Sequence, residues 1–240
     1  MKYKRILIIV LIYIFIIVFF ICLYFLLKDL QELNKNNKVI TNLIEDCIDV
    51  DKETKEKYID WNYLKTVNED IIAWIEIEDT NINYPILKDN NLYYLKHSFD
   101  KRTNNNGSIF VTDIEPFIRA ETVVYGHNMK NGTMFSSLGN YLKEDFLKSH
   151  LKFKIYTPNG DYEATIFSVY SIGISNENDN IKSLNFKEKI EYYKSSSKFD
   201  IECNEDDIEK IVKLSTCSYI NATTNPTDQR YYIIANLINI

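Results

Sequence analysis

The chain begins with an unbroken apolar run. Residues 6–27, ILIIVLIYIFIIVFFICLYFLL, contain no charged residue, no proline and no glycine. As a helix rising about 1.5 Å per residue, this run is roughly 33 Å long, which is enough to span the hydrocarbon core of a bilayer. The run is not followed by the small-residue cleavage site of a secretory signal peptide. We therefore expect residues 6–27 to be a retained transmembrane anchor.

The basic residues on the two sides of the anchor predict its orientation. Lys2, Lys4 and Arg5 crowd the N-terminal flank, whereas the basic residues beyond the anchor are spread over residues 28–38. Basic residues close to the membrane favour the cytoplasmic side. We therefore expect residues 1–5 to be a cytoplasmic tail and the C-terminal domain to be extracellular, on a single-pass protein of the cell membrane.

Two stretches with a helical pattern follow the anchor. Residues 28–53 are polar, with a loose apolar stripe that NKNNK interrupts, and we expect a partly helical stalk. In residues 54–74, apolar side chains recur at three- and four-residue spacing among acidic residues, which predicts an amphipathic helix packed on the following domain. These apolar positions are Trp61, Leu64, Val67 and Ile71.

From residue 74 onward the pattern changes to short strands and turns. AWIEIEDTNINYPIL alternates on both sides of an Asp-Thr-Asn turn, and LKFKIYTPNGDYEATIFSVYSIGI has the form of a hairpin around Pro-Asn-Gly. Further strands are predicted in NNNGSIFVTD, ETVVYGHN, DIEKIVKLSTC and DQRYYIIANLI, and a short helix in NFKEKIEYYKSSS. At least seven short strands predict a mainly β domain with flanking helices over residues 54–240, arranged as a closed barrel or sandwich.

Charge and cysteine content exclude several classes of function. Without residues 1–27 the chain has 25 basic and 34 acidic residues, a net charge of −9, so it lacks the positive surface of a nucleic-acid binder. Cys22 lies in the anchor, and the three others form no CxxC pair: Cys47, Cys203 and Cys217. This pattern is typical neither of a disulfide framework nor of a zinc site, and free thiols are expected.

Cys217 lies in KLSTCSYI, at the end of a predicted strand. If that strand is extended, Val212 and Leu214 share one face, while Lys213, Ser215 and Cys217 share the other, polar face. A structural cysteine is usually buried as a small hydrophobe, so a packing role stays open. Its place on the polar face favours a nucleophile.

A nucleophilic thiol needs a proton-transfer partner and a group that stabilises an oxyanion. His97 and His150 lie among charged, solvated residues, whereas His127 follows a strand that ends in glycine and opens into the loop of VVYGHNMKNGTMF. Arg230 opens the last strand, and its fork of donors suits an oxyanion. An ordinary strand-end arginine paired with Asp228 or with solvent is the alternative for Arg230.

These residues together resemble a known family. LSTC at a strand end, YGHNM upstream and an arginine that opens the next strand resemble the sortases, the membrane-anchored cysteine transpeptidases of Gram-positive bacteria. The resemblance covers roughly residues 55–240, and the long form YGHNMKNGTMFSSLGNY is most similar to class B. It implies a closed sortase-type β-barrel, with Cys217 as nucleophile, His127 as acid and base, and Arg230 as the stabiliser of the transition state.

The resemblance also implies substrate contacts. Ser215 matches a substrate-contacting serine of class B members, Thr216 lies beside it, and Tyr192 or Tyr193 is expected to line the groove. Lys213 departs from the family, which usually has threonine before LSTC. This lysine is expected to place a charge near the groove and leaves the substrate preference open.

The implied function is cell-wall anchoring. A secreted protein with a C-terminal Pro-x-Thr-Gly/Asn-type sorting signal is cleaved after Thr through a thioacyl intermediate on Cys217. The acyl group then passes to an amine of the peptidoglycan stem or cross-bridge, or of its lipid-linked precursor. No metal or cofactor is expected, and the acidic segment NEDD is interpreted as a solvated loop and not as a calcium site.

Three alternatives stay open. A pilin-polymerising sortase differs only in its nucleophile, a lysine of another protein. A cell-wall thiol peptidase would hydrolyse the bond, although a papain-like enzyme places its cysteine at a helix start and before the histidine, unlike this chain. A membrane-tethered β-barrel binding module would use Cys217 only for packing, and its thiol would be unreactive.

Overall fold

The computed structural model describes residues 2–54, 56–218 and 227–240, and it divides into two compact units, Met1–Tyr58 and Ile59–Ile240. The first unit begins with the 46-residue helix α1, Lys2–Cys47. A small two-stranded sheet follows, formed by β1 (Ile48–Val50) and β2 (Lys57–Ile59). Within α1, the stretch Tyr3–Lys28 has a mean hydropathy of 3.6 and is long and apolar enough to cross a membrane. It fits a membrane anchor.

The stalk that was predicted to be partly helical is helical as far as Cys47. The NKNNK segment does not end the helix, since asparagine and lysine each cost well under about 1 kcal/mol of helix propensity and neither breaks an established helix as proline would. Thr41 Oγ1 also donates to the carbonyl of Asn37, 3.0 Å away, within the same exposed stretch.

The single helix predicted over residues 54–74 is wrong in extent. Its helical part is α2, Trp61–Val67, which begins where the carboxylate of Asp60 accepts a backbone hydrogen bond. The helix ends because Asn68 is extended and buried, with its side-chain amide bonded to other parts of the chain. Ile71, the last position of the predicted stripe, therefore starts a strand.

The second unit is built around a closed barrel of eight strands, which confirms the mainly β fold with flanking helices. Its strands are β3 (Ile71–Glu76), β4 (Asn83–Lys88), β5 (Ile109–Val111), β6 (Glu121–Tyr125), β7 (Lys152–Tyr156), β8 (Tyr162–Gly173), β9 (Ile211–Cys217) and β10 (Gln229–Asn239). Around the barrel the order is β10–β8–β7–β3–β4–β5–β6–β9. Only the pairs β4–β5 and β6–β9 are parallel among the described neighbours.

Besides α2, the described part of the second unit has three helices outside the barrel strands. They are α3 (Glu144–Ser149), α4 (Ile174–Ile181) and α5 (Phe186–Ser196), together with the 3-10 turns Tyr93–Leu95, Ser136–Leu142 and Glu205–Asp207. The predicted short helix is α5, and Asn185 and Glu188 form a capping box at its start. The helix α4 was not predicted, because its sequence ISNENDNI is almost entirely polar.

A core lies between α5 and strands β8, β9 and β10. Its buried members are Phe167, Tyr170, Ile190, Tyr193, Ile208, Ile211, Tyr232 and Ile234. Burial of an isoleucine- or phenylalanine-sized side chain contributes about 1.5–3 kcal/mol. This core therefore fixes the two neighbouring strands that carry Cys217 and Arg230.

Candidate active site

The strand register brings Cys217 and Arg230 together. In the antiparallel pair of β9 and β10, these two residues are directly opposite each other. Side chains at directly opposite positions extend from the same face of a sheet, with Cβ atoms about 4.5–5.5 Å apart. The thiol and the guanidinium are therefore neighbours at one end of the barrel.

The parallel pair of β6 and β9 brings His127 to the same end. Tyr125, the last residue of β6, is level with Ser215, and Gly126 N–H donates to the Ser215 carbonyl across 3.2 Å. His127 lies two residues beyond Tyr125, and Cys217 lies two residues beyond Ser215, so the histidine reaches the level of the cysteine. Asn128 Nδ2 donates to the Cys217 carbonyl across 2.7 Å, which ties the histidine loop to the end of β9.

Gly126 is required at the point where β6 gives way to this loop. A Cβ atom added there would lie 2.5 Å from Ile109 Cδ1 and 2.7 Å from Phe135 Cδ2. Both neighbours are buried. Any larger residue would push the loop outward and take His127 with it.

The imidazole of His127 is half-buried and has a backbone partner. Its Nε2 lies 2.8 Å from the carbonyl oxygen of Leu95, which belongs to the 3-10 turn Tyr93–Leu95. The other two histidines have local partners: His97 stacks on Tyr93, and His150 stacks on Phe146.

Arg230 is held by backbone at the start of β10. Its Nη1 donates to the carbonyls of Thr227 and Gln229 across 2.8 and 2.9 Å. Because a guanidinium has five N–H donors, the group keeps further donors for an anion near Cys217. Between the described residues Arg230 and Asp228 there is no ion pair, so the Asp228 form of the alternative is not what the structure shows.

Cys217 is half-buried and free, as expected of an accessible thiol. Cys47 is buried. Cys203 is half-buried like Cys217, and burial raises the pKa of its thiol. In the part of the chain that the structure describes, no three metal-binding side chains form a group.

The two residues before Cys217 point in opposite directions. Ser215 shares the face of Cys217, lies opposite Tyr232 and is only 4% exposed, so its substrate contact stays a prediction. Thr216 is 2% exposed and lies on the face of Val212 and Leu214. Strand alternation turns the side chain of Thr216 away from the thiol, and its role as a substrate contact stays a prediction.

The two tyrosines of α5 also differ. Tyr193 is fully buried in the core, and its hydroxyl donates to Glu121 Oε1 across 2.7 Å, so of the two tyrosines given as alternatives for the groove it is the one that packs in the core. Tyr192 is half-buried, and its hydroxyl donates to Glu177 Oε2 across 3.0 Å. A groove role for Tyr192 stays a prediction.

Lys213 does not place a charge on the groove surface, contrary to expectation. Its side chain is 4% exposed and its ammonium pairs with Glu177 of α4, whose side chain is 1% exposed. The rings of Tyr232 and Tyr193 lie 4.2 and 4.7 Å from the ammonium. Burial lowers the pKa of Lys213, and the Glu177 carboxylate opposes that shift.

Three residues that sequence reasoning missed belong to this region. Leu95 contributes only its backbone carbonyl, which leaves no residue-type pattern. Asn128 is part of YGHNM, but no pattern indicates that its side-chain amide donates to the Cys217 carbonyl. Glu177 was missed because the polar pattern of α4 gave no indication that the helix packs on the barrel. Only the unexpected Lys213 gave a signal, since a buried lysine needs a partner.

Comparison with known proteins identifies the family. A model of the sortase domain matches residues 75–238. Sortase B of Listeria monocytogenes is 35% identical over 161 residues, which cover 64% of this chain and 65% of that protein. The chain thus spans just under two thirds of that relative's length.

Solved structures agree with this match. The X-ray structure of Clostridium perfringens sortase B superposes with a TM-score of 0.64 at 32% identity, over 74% of this chain and 98% of that one. The Staphylococcus aureus sortase B–substrate complex gives 0.64 at 28% identity, over 75% and 85%. With the closed barrel and the LSTC, YGHNM and arginine positions in place, the chain belongs to the sortase family, as a member of class B.

Proposed function

We propose that this protein is a cysteine transpeptidase whose catalytic residues are Cys217, His127 and Arg230. The observation that carries the proposal is the register of three neighbouring strands. Arg230 lies directly opposite Cys217, and the β6–β9 pairing brings His127 to the same level. Nucleophile, proton carrier and oxyanion donor thus meet at one end of the barrel, as acyl transfer through a thioester requires.

The first half-reaction breaks the peptide bond after the threonine of the sorting signal. The Cys217 thiolate attacks the carbonyl carbon, a C–S bond forms, and Arg230 binds the developing oxyanion. As the C–N bond breaks, His127 gives its proton to the leaving amine. A thioacyl enzyme and a free amine are the products of this step.

The second half-reaction reverses the roles of the same groups. The amine of the acceptor attacks the thioester carbon, and His127 takes the proton that this amine loses. The C–S bond then breaks, and Cys217 leaves as a thiolate. Division into two acyl transfers lets the enzyme exchange one amide for another without free water as a reactant.

We place the substrates at the cell surface. The donor is a secreted protein with a C-terminal Pro-x-Thr-Gly/Asn-type signal, and the acceptor is an amine of the peptidoglycan stem or cross-bridge, or of its lipid-linked precursor. Support comes from the family and from the Staphylococcus aureus relative, which has been solved as a substrate complex.

The proposed topology follows from the apolar stretch of α1. Residues 1–5 lie in the cytoplasm, residues 6–27 span the membrane, residues 28–53 form the stalk, and residues 54–240 form the extracellular catalytic domain. Protease treatment of intact cells would remove the catalytic domain in this topology and would spare it if the orientation were reversed.

The test uses the full-length chain in detergent micelles, as wild type, Cys217→Ala and Cys203→Ala. Each is mixed with Pro-x-Thr-Gly and Pro-x-Thr-Asn peptides, with or without glycine, diaminopimelate-type amines or a lysine-bearing peptide, and the products are read by mass spectrometry. We expect cleavage after Thr, an acyl adduct on Cys217 and amine-dependent ligation in the wild type and in Cys203→Ala, but not in Cys217→Ala.

Other outcomes separate the alternatives. Ligation to the lysine-bearing peptide alone would indicate a pilin-polymerising enzyme, and hydrolysis without ligation would indicate a peptidase. If Cys217→Ala still cleaved the peptide, or if Cys217 resisted alkylation in the folded protein, the proposed chemistry would be wrong.

A further inference from the structure

The contact between His127 and Leu95 fixes more than the position of the ring. A backbone carbonyl only accepts hydrogen bonds, so the Nε2 atom that lies 2.8 Å from it must carry the hydrogen. In a neutral imidazole the other nitrogen, Nδ1, then has the free lone pair. The choice of tautomer therefore depends on where the Leu95 carbonyl is held.

That carbonyl belongs to the support segment, which we define as residues 89–108. Asp89 is almost fully buried, and its carboxylate accepts backbone N–H groups from Asn91, Tyr93 and Tyr94 across 3.0, 3.1 and 2.7 Å. Three such bonds to one ionised side chain hold the start of the 3-10 turn Tyr93–Leu95 in place. Asp89 is thus bonded to the turn and not to the thiol or the imidazole.

A second anchor fixes the turn from the opposite end. Gly107 has a φ of +60° and lies against the turn, so that an added Cβ would be 2.7 Å from the Tyr94 oxygen and 2.8 Å from the Leu95 oxygen. The next residue, Ser108, donates its N–H to the Tyr94 carbonyl across 2.9 Å. A side chain at position 107 would therefore push on the same carbonyl that receives His127.

A side-chain network holds Tyr94 itself. Asn68 Nδ2 donates to the Tyr94 hydroxyl across 2.7 Å, and that hydroxyl donates to Asp70 Oδ2 across 2.6 Å. Asn68 is buried at the end of α2. The turn is therefore bonded to the short connection between α2 and β3 as well as to its own segment.

We propose that the support segment is a positioning device that keeps His127 in its Nε2–H tautomer, so that Nδ1 is the atom that exchanges the proton. Asp89 and Gly107 are positioning residues, since they act through the Leu95 carbonyl and touch no reacting atom. In each half-reaction the proton leaves or joins Nδ1, while the Nε2–H bond to Leu95 stays intact. The catalytic part of this inference rests on the proposed function, but the tautomer does not.

The tautomer is measured directly by NMR. The full-length chain in detergent micelles is labelled with nitrogen-15 in its three histidines, and long-range proton–nitrogen spectra show which ring nitrogen carries the hydrogen. His97→Gln and His150→Gln assign the signals. We expect neutral His127 to be mainly the Nε2–H tautomer, and a dominant Nδ1–H form would overturn the inference.

Gly107→Ala tests the positioning role. We expect a mixed tautomer population at His127 and a fall in kcat on the order of tenfold to a hundredfold, with KM little changed, because a small displacement of a catalytic group has effects of that size. Gly160→Ala is the matched control. Gly160 also has a positive φ, +135°, but it lies in the turn between β7 and β8, where an added Cβ meets only the side chain of Asn239, at 3.3 Å. It should keep the wild-type tautomer and kcat.

A second variant covers the case in which Gly107→Ala does not fold. Asp89→Asn replaces one accepting carboxylate oxygen by an NH2 group, which loosens the turn without adding bulk. We expect the same change in tautomer and in kcat. If either folded variant keeps both the wild-type tautomer and the wild-type kcat, the positioning role is wrong. A protein that shows the expected tautomer but cleaves no peptide would instead contradict the proposed function and leave this inference standing.

Discussion

At the scale of single residues, Arg230 illustrates how backbone contacts hold a side chain beside the proposed nucleophile. Two backbone carbonyls accept hydrogen bonds from its Nη1, and the planar guanidinium has further N–H donors for an oxyanion. Lysine would keep the charge at this position but would lose the fork. Substitution at this residue can therefore test whether the positive charge alone is enough or whether an oriented N–H donor is needed.

Arg230→Lys is expected to lower kcat on the order of a hundredfold to a thousandfold, the usual effect of removing one oxyanion donor. KM should change little, since the interaction forms as the oxyanion develops. Steady-state peptide cleavage measures both constants, and Arg119→Lys is the control, because Arg119 lies in an exposed pair with Glu115. A loss confined to KM would show that Arg230 binds the ground-state substrate and not the transition state.

The residues of the candidate site were predictable to different degrees. Cys217, His127 and Arg230 follow from motifs, but Leu95 does not, because any residue could supply its carbonyl. Adjacent helical residues face different directions, but that rule does not say which of Tyr192 and Tyr193 faces the core. For Thr216, strand alternation indicates the face of the side chain, which the motif does not.

At the scale of elements, one buried ion pair connects a helix to the cysteine strand. Glu177 of α4 accepts hydrogen bonds from Lys213 of β9 and from Tyr170 of β8. The start of α4 also contacts the residue that precedes β10, since Ile174 N–H donates to the Asp228 carbonyl across 3.0 Å. The pair therefore fixes α4 beside the strands that carry Cys217 and Arg230.

Lys213→Met is expected to destabilise the protein by about 3–5 kcal/mol, because it leaves Glu177 buried without its charge partner. The double variant Lys213→Met/Glu177→Leu should recover most of this loss, since neither charge then needs desolvation. Urea unfolding of the wild type, the two single variants and the double variant gives the coupling energy. Additive effects of the two substitutions would contradict the pairing.

The elements that the sequence predicted well are those in which the residue pattern itself alternates or forms a helical apolar stripe. The β3–β4 and β7–β8 hairpins and helix α5 have such patterns. The end of α2 depends on the bonds that the Asn68 side chain makes to Tyr94 and Phe99, contacts that are distant in sequence. Helix α4 packs through a carboxylate, so its apolar pattern is absent.

At the scale of the whole molecule, the barrel is closed by long-range pairings that no local pattern specifies. The parallel pairs β4–β5 and β6–β9 join strands that are separated by long connections, and the second of them sets the level of His127. Alternation predicted the strands, and the resemblance to sortases implied the closed barrel, but neither predicted the order of the strands. The same closed packing buries many tyrosine side chains around the barrel.

These tyrosines make the stability sensitive to alkaline pH. Burial raises the pKa of Tyr141, and burial together with the nearby Glu177 carboxylate raises the pKa of Tyr170 and Tyr232. Unfolded tyrosines lose their protons near pH ~10, whereas these folded ones keep theirs to higher pH. Because the folded state then binds more protons, the stabilisation that these tyrosines contribute is fully present below pH ~10 and is lost as the pH rises further.

We therefore expect the free energy of unfolding of the second unit, Ile59–Ile240, to fall steeply above pH ~10. The lowered pKa of Lys213 has the opposite effect, because it makes stability rise with pH between that lowered pKa and the pKa of free lysine. One lysine acts against several tyrosines, so the net change is a fall in stability. Urea unfolding followed by the fluorescence of buried Trp74 measures the change, and tyrosinate absorbance shows when the phenols ionise. Tyr170→Phe is the matched variant, and its unfolding free energy should depend less steeply on pH. Stability that stays constant through this range would show that these phenols ionise without unfolding the barrel.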